Sequence, residues 1–116
     1  MPVANAIRKA RMQAAIDFMT ANLHRSISVS ELAKFVRLSD SHFARLFKAE
    51  IGIAPGQYLT NLRMEKAGHL LATSFLSVKE IMITVGYKSR GNFIRFFKRY
   101  FHTTPSEYRK REFNRR

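Results

Sequence analysis

Arg45 and Arg95 hold the same place in two similar stretches of the chain. A guanidinium can grip a guanine edge through two hydrogen bonds, to O6 and N7, worth about 1–3 kcal/mol against a wrong base. A phosphate contact is the other use open to either arginine. Arg90 offers the same chemistry. Asn92 suits the donor–acceptor edge of adenine, or equally a local bond to the backbone. His42 fits a cap, a solvated position or a base contact. Lys48, Lys88, Lys98 and Arg99 suit phosphates, which add affinity and salt dependence without sequence information. The backbone amides near Ser39 and Ser89 would open two helices, where free N–H groups can also meet phosphates. The overall charge agrees with such a role. Lys and Arg number 21 against 8 Asp and Glu, a formal net charge of +13, which points to a polyanion, either nucleic acid or an acidic membrane surface.

Other chemistry finds little support. There is no cysteine, hence no disulfide, thiolate nucleophile or cysteine zinc site. The histidines stand at 24, 42, 69 and 102 without metal-ligand spacing, and the carboxylates are scattered. No glycine-rich phosphate loop or nucleophile elbow occurs. The expectation is a protein that is not an enzyme and takes no cofactor or metal. No apolar run approaches the ~18 residues of a membrane span, and Met1 to Arg11 lacks a signal-peptide core. A cytoplasmic protein with no membrane partner is expected.

The elements that position these residues come from an internal repeat. Ser28, Val29, Glu31 and Val36 recur 49 residues on as Ser77, Val78, Glu80 and Val85. After a one-residue insertion between Val85 and Ser89, the shift becomes 50, and Ser39, Phe43, Arg45, Phe47, Lys48, Pro55 and Tyr58 meet Ser89, Phe93, Arg95, Phe97, Lys98, Pro105 and Tyr108. In each copy a serine with Glu three residues on resembles a capping box. A turn follows, at Arg37-Leu38 or at Gly86-Tyr87-Lys88. Ser39 or Ser89 can then cap a second helix. Its apolar face is Phe43, Leu46 and Phe47, or Phe93, Phe96, Phe97 and Tyr100. Its polar face is Ser41, His42, Arg45 and Lys48, or Arg90, Asn92, Arg95, Lys98 and Arg99. The helical spacing assigns the phenylalanines to a core, not to base stacking.

Two short helices joined by a tight turn, the second basic outside, form a helix-turn-helix. The prediction is therefore an all-α chain of about seven helices, a single DNA-binding domain over 1–116. It has helix 1 from about Ala6 to Leu23 and a first helix-turn-helix within 6–54. A long linking helix covers 55–74. A second helix-turn-helix and a short final helix fill 75–111, and 112–116 is a basic tail. Arg109, Lys110, Arg111, Arg115 and Arg116 are expected to be frayed. About nineteen linking residues span roughly 28 Å, against about 34 Å for a turn of B-DNA, so the two recognition helices are expected in successive major grooves. Arg63 fits a structural ion pair with a Glu or a DNA contact.

These residues resemble the AraC/XylS family of bacterial transcription regulators. The resemblance runs from about Arg11 to Arg111. It is most specific in Val85-Gly86-Tyr87-Lys88-Ser89-Arg90-Gly91-Asn92-Phe93-Ile94-Arg95-Phe96-Phe97-Lys98-Arg99-Tyr100-Phe101 and in Thr104-Pro105-Ser106-Glu107-Tyr108-Arg109. Phe43 to Lys48 and Leu62 to Ala67 are similar to further family segments. The resemblance implies sequence-specific binding of double-stranded promoter DNA, contact with RNA polymerase and, most often, activation. It places base contacts at Ser41, Ala44 and Arg45, and at Arg90, Gly91, Asn92 and Arg95. Two departures stand out: the family usually has Gly where Arg37 and His102 stand, so each must adopt a left-handed conformation or change its turn. The chain is either a short regulator acting alone, controlled by its amount, or the DNA-binding end of a longer one. A monomer with two reading heads suffices for an asymmetric site. The alternative is a sequence-tolerant basic helical protein that binds nucleic acid.

Overall fold

A computed structural model describes residues 2–115. Among them are seven helices and no strand: α1 Pro2–Ala21, α2 Val29–Phe35, α3 Asp40–Ile51, α4 Pro55–Thr73, α5 Val78–Thr84, α6 Arg90–Phe101 and α7 Pro105–Asn114. The chain divides into two compact units, one of residues 1–22 and 26–59, the other of 23–25 and 60–116. Two boundaries differ from expectation. α1 starts at Pro2 and stops at Ala21, before the buried Leu23. α7 continues through Glu112, Phe113 and Asn114, so most of the supposed basic tail is helix; Arg116 lies outside the described residues. Arg109, expected to be frayed, instead donates to the carbonyls of Leu71 and Ser74 at 3.1 and 3.2 Å, closing the C-terminal end of α4.

In the first unit α1 packs on α2 and α3. The core is Met12, Ala15 and Met19 from α1, Leu32, Ala33 and Val36 around α2, and Phe43 and Phe47 from α3. In the second unit Met64, Ala67 and Leu71 of α4 meet Ile81, Met82 and Val85 and the Phe93–Phe97 pair of α6. The repeat survives in side-chain geometry. Tyr58 meets the ring of Phe47 edge-on, centroids 5.6 Å apart, and Tyr108 meets Phe97 edge-on at the same 5.6 Å. Not every phenylalanine is core as expected: Phe35 and Phe75 are 52% and 95% exposed.

The turns inside both units have one construction. The Leu38 amide bonds the Ala33 carbonyl and the Arg37 amide bonds the Lys34 carbonyl, at 2.9 and 3.1 Å. In the second copy Tyr87 bonds Met82 and Gly86 bonds Ile83, both at 3.0 Å. This pair of bonds requires a left-handed residue just past the helix, and Arg37 and Gly86 supply it at φ 62° and 93°. Helices α3 and α6 end on left-handed residues too, Gly52 at φ 100° and His102 at φ 62°. Arg37 and His102 thus keep the turn and accept the Cβ penalty that glycine avoids. Because Arg37 matches Gly86 and Leu38 matches Tyr87, the inserted residue is Lys88.

Gly86 is constrained by space as well, for a Cβ there would press into the Leu23 carbonyl oxygen. Beside it, half-buried Arg63 donates to the carbonyls of Arg25 at 2.8 Å and Gly86 at 3.3 Å, with its guanidinium 5.7 Å from the Tyr87 ring centroid. Its Nε is buried without a hydrogen bond. Arg63 is neither in an ion pair with a Glu nor turned outward to a ligand; it ties residues 23–25 to the turn before α6. Burial depresses its pKa, opposed by the Tyr87 phenol.

Two outcomes test this account. A Cβ at Gly68 would lie 2.6 Å from the tip of the Phe101 ring, which the rings of Phe97, Tyr100 and Tyr108 hold at 4.6–4.9 Å. Gly68→Ala is expected to cost about 1–3 kcal/mol through overpacking, read by denaturant melts; unchanged stability would show the ring free to move. At α5, Ser77 and Glu80 form a reciprocal capping box. The Ser77 amide, then its hydroxyl, hold the Glu80 carboxyl below its ordinary value. A folded pKa below the unfolded one gives stability that is complete above the unfolded value and lost as pH falls through the folded one. Glu80→Gln should therefore flatten the acid limb of a stability-against-pH curve, and an unaltered limb would contradict the box.

Candidate nucleic-acid interface

Each second helix of the two motifs is oriented by its buried phenylalanines. With Phe43 and Phe47 inward at zero exposure, Ser41, His42, Arg45 and Lys48 of α3 point to solvent. Ala44 sits half-buried at the edge of that face. In α6 Phe93 and Phe97 are inward, and Arg90, Gly91, Asn92, Arg95, Lys98 and Arg99 are all exposed. The structure thus brings the expected residues of each helix to one outward face, with Ala44 marginal.

The helix starts are set by serines. Ser39 and Ser89 are N-caps, and their hydroxyls accept from the amides of His42 and Asn92, both at 3.2 Å. The caps satisfy one amide each and leave others of the first turn facing out. Charge differs between the helices. α3 opens with Asp40, whereas α6 has no acidic residue in its first turn and carries Lys98 and Arg99 in its last, where cations suit the helix dipole.

The side chains of α6 also organise one another. Arg95 Nη2 donates to Asn92 Oδ1 at 2.8 Å. The Arg95 and Arg99 guanidinium groups lie 5.5 and 5.6 Å from the centroid of the Phe96 ring, and that ring rests against Tyr87. Gly91 leaves a gap between Arg90 and Asn92. A Cβ there would meet only Ser89 Oγ at 3.9 Å, so nothing in the protein excludes a side chain.

Lys88, the inserted residue, is exposed and lines an apolar-floored cleft of about 340 Å³ with Lys79 and Arg90, above Val78 and Met82. Sequence reasoning missed Lys79. The repeat gave no signal for it, because Ser30 stands at the matching place in the first copy. Among the described residues no cluster of His, Asp or Glu could hold a metal, and no helix is long and apolar enough to cross a membrane.

Comparison with known proteins accounts for the arrangement. Residues 32–111 match a family model described as a helix-turn-helix domain. The lactose operon transcription activator of Staphylococcus xylosus is 38% identical over 98 residues, which are 84% of this chain and 35% of that protein. The chain spans about a third of the length of that relative. The solved DNA-binding domain of AdpA, a global transcriptional factor in complex with a target DNA, is 30% identical and superposes with a TM-score of 0.86, covering 90% of this chain and 95% of that one. An AraC-type transcriptional regulator from Chromobacterium violaceum is 29% identical at TM-score 0.83, covering 90% and 93%. With this match, the duplicated motif and the outward arginines, the chain belongs to the AraC-type helix-turn-helix family of DNA-binding transcription regulators.

Proposed function

We propose that this domain recognises a specific promoter duplex, with α3 and α6 lying in successive major grooves, and that the regulator it serves activates transcription through contact with RNA polymerase. The observation that carries the reading is one arginine, Arg45 or Arg95, exposed at the same place on each recognition helix and opposite that helix's buried phenylalanine pair. Arg45, Arg90, Asn92 and Arg95 take base edges, with Ser41, His42, Ala44 and Gly91 beside them. Ser39, Lys48, Lys88, Ser89, Lys98 and Arg99 take phosphates. Lys79 joins the phosphate set because it shares a cleft with Lys88 and Arg90. Two reading helices serve an asymmetric site, so one copy of the chain suffices. Activation follows the role of the Staphylococcus xylosus relative, an activator of lactose operon transcription. The protein acts in the bacterial cytoplasm, on nucleoid DNA.

Two sets of variants test this. Arg95→Ala should relax base preference within one half of the site, whereas Lys98→Ala should weaken all duplexes alike and reduce the salt slope by about one unit. Equal effects, or equal binding of specific and scrambled duplexes, would make the domain a sequence-tolerant binder. Gly91→Ala should stabilise the free domain by up to about 1 kcal/mol, because glycine is a poor helix residue, and yet weaken specific binding as its methyl meets the groove. Unchanged affinity would place Gly91 away from DNA.

A further inference from the structure

We propose that Asn92 is a positioning residue for Arg95, and that the pair makes the outward face of α6 a donor-rich reader of guanine-rich DNA. This rests on the reading above that α6 enters a major groove. Arginine has only donors, so the atom of Asn92 that accepts from Arg95 Nη2 at 2.8 Å must be the carboxamide oxygen. That bond turns Oδ1 toward the next helical turn and Nδ2 away from it. Reading adenine in two bonds needs the oxygen and the nitrogen side by side on one base edge, and here Arg95 occupies one of the oxygen's two lone pairs and turns the carboxamide along the helix, in competition with adenine. The other side-chain groups on the exposed face of α6, namely Arg90, the Asn92 Nδ2, the other N–H groups of Arg95, Lys98 and Arg99, are all donors. In the major groove guanine alone presents two acceptors and no donor from its own edge.

Arg95 is held on a second side by the Phe96 ring, 5.5 Å from its guanidinium. A long side chain already held in place loses less freedom when it grips a base. The first unit is built otherwise: His42 stands at the place of Asn92, and exposed Asp40 at the place of Arg90, so its face mixes donors and acceptors. The two half-sites therefore differ in chemistry, guanine-rich under α6 and mixed under α3.

The test is selection of bound duplexes from a random pool by the whole chain and by its N92A, N92D and R95A variants, with circular dichroism as a check on folding. The wild-type protein should enrich neighbouring guanines in one half-site, and the position lost in R95A belongs to Arg95. N92A should lower guanine enrichment at that position by roughly three- to tenfold, the worth of ordering one long side chain. N92D, whose carboxylate still accepts from Arg95, should restore the enrichment while total affinity falls by charge repulsion. Guanine enrichment intact in N92A with loss of a neighbouring adenine would overturn the proposal and make Asn92 an independent adenine reader. Failure of N92D to restore it would also overturn it. A wild-type pool with no motif would instead remove the groove reading beneath.

Discussion

Everything outward in this protein is aimed by what each recognition helix buries. Phe43 with Phe47, and Phe93 with Phe97, are four residues apart and fully enclosed. Side chains at that spacing lie one above the other on a helix, so burying both leaves the helix no freedom to roll. The edge-on tyrosines Tyr58 and Tyr108 brace the same pairs from the following helices. Arg45 and Arg95 are exposed as a consequence of that packing. The fold thus turns hydrophobic burial, which has no direction of its own, into a defined direction for a few charged groups.

The turn is the second requirement, because it decides where the oriented helix begins. Both copies end their first helix on a left-handed residue with the same two backbone bonds. Arg37 shows that the backbone pattern, not the glycine, is what the motif needs. The second copy admits only glycine at this place for a separate reason: the Leu23 carbonyl oxygen occupies the space a side chain would take. Similar turns therefore rest on different local constraints, which is how repeated units diverge without changing shape.

The helices and their inward faces were legible in the sequence because both are periodic and local. Serine caps, glutamates three residues on and paired phenylalanines can be read without knowing what packs on them. What escaped was set by distant neighbours. The spacing of Arg63 gives it no clear role, with an ion pair or a DNA contact both open, yet it bonds two backbone carbonyls, and carbonyls leave no trace in residue identity. Arg109 looked like part of a basic tail until its bonds to Leu71 and Ser74 placed it on the end of α4. The Asn92–Arg95 bond is within reach of spacing rules, since the two stand three residues apart on one helix.

The second unit borrows three residues, Leu23 to Arg25, from between the first two helices, and Arg63 spends a hydrogen bond of 2.8 Å on that loan. No single cut yields both halves whole. A fragment beginning at Thr60 would keep every helix from α5 onward but strand a half-buried cation, already short of one partner at Nε. Swapping recognition modules between relatives therefore means exchanging a discontinuous piece of chain, with the short stretch after α1 travelling alongside α6.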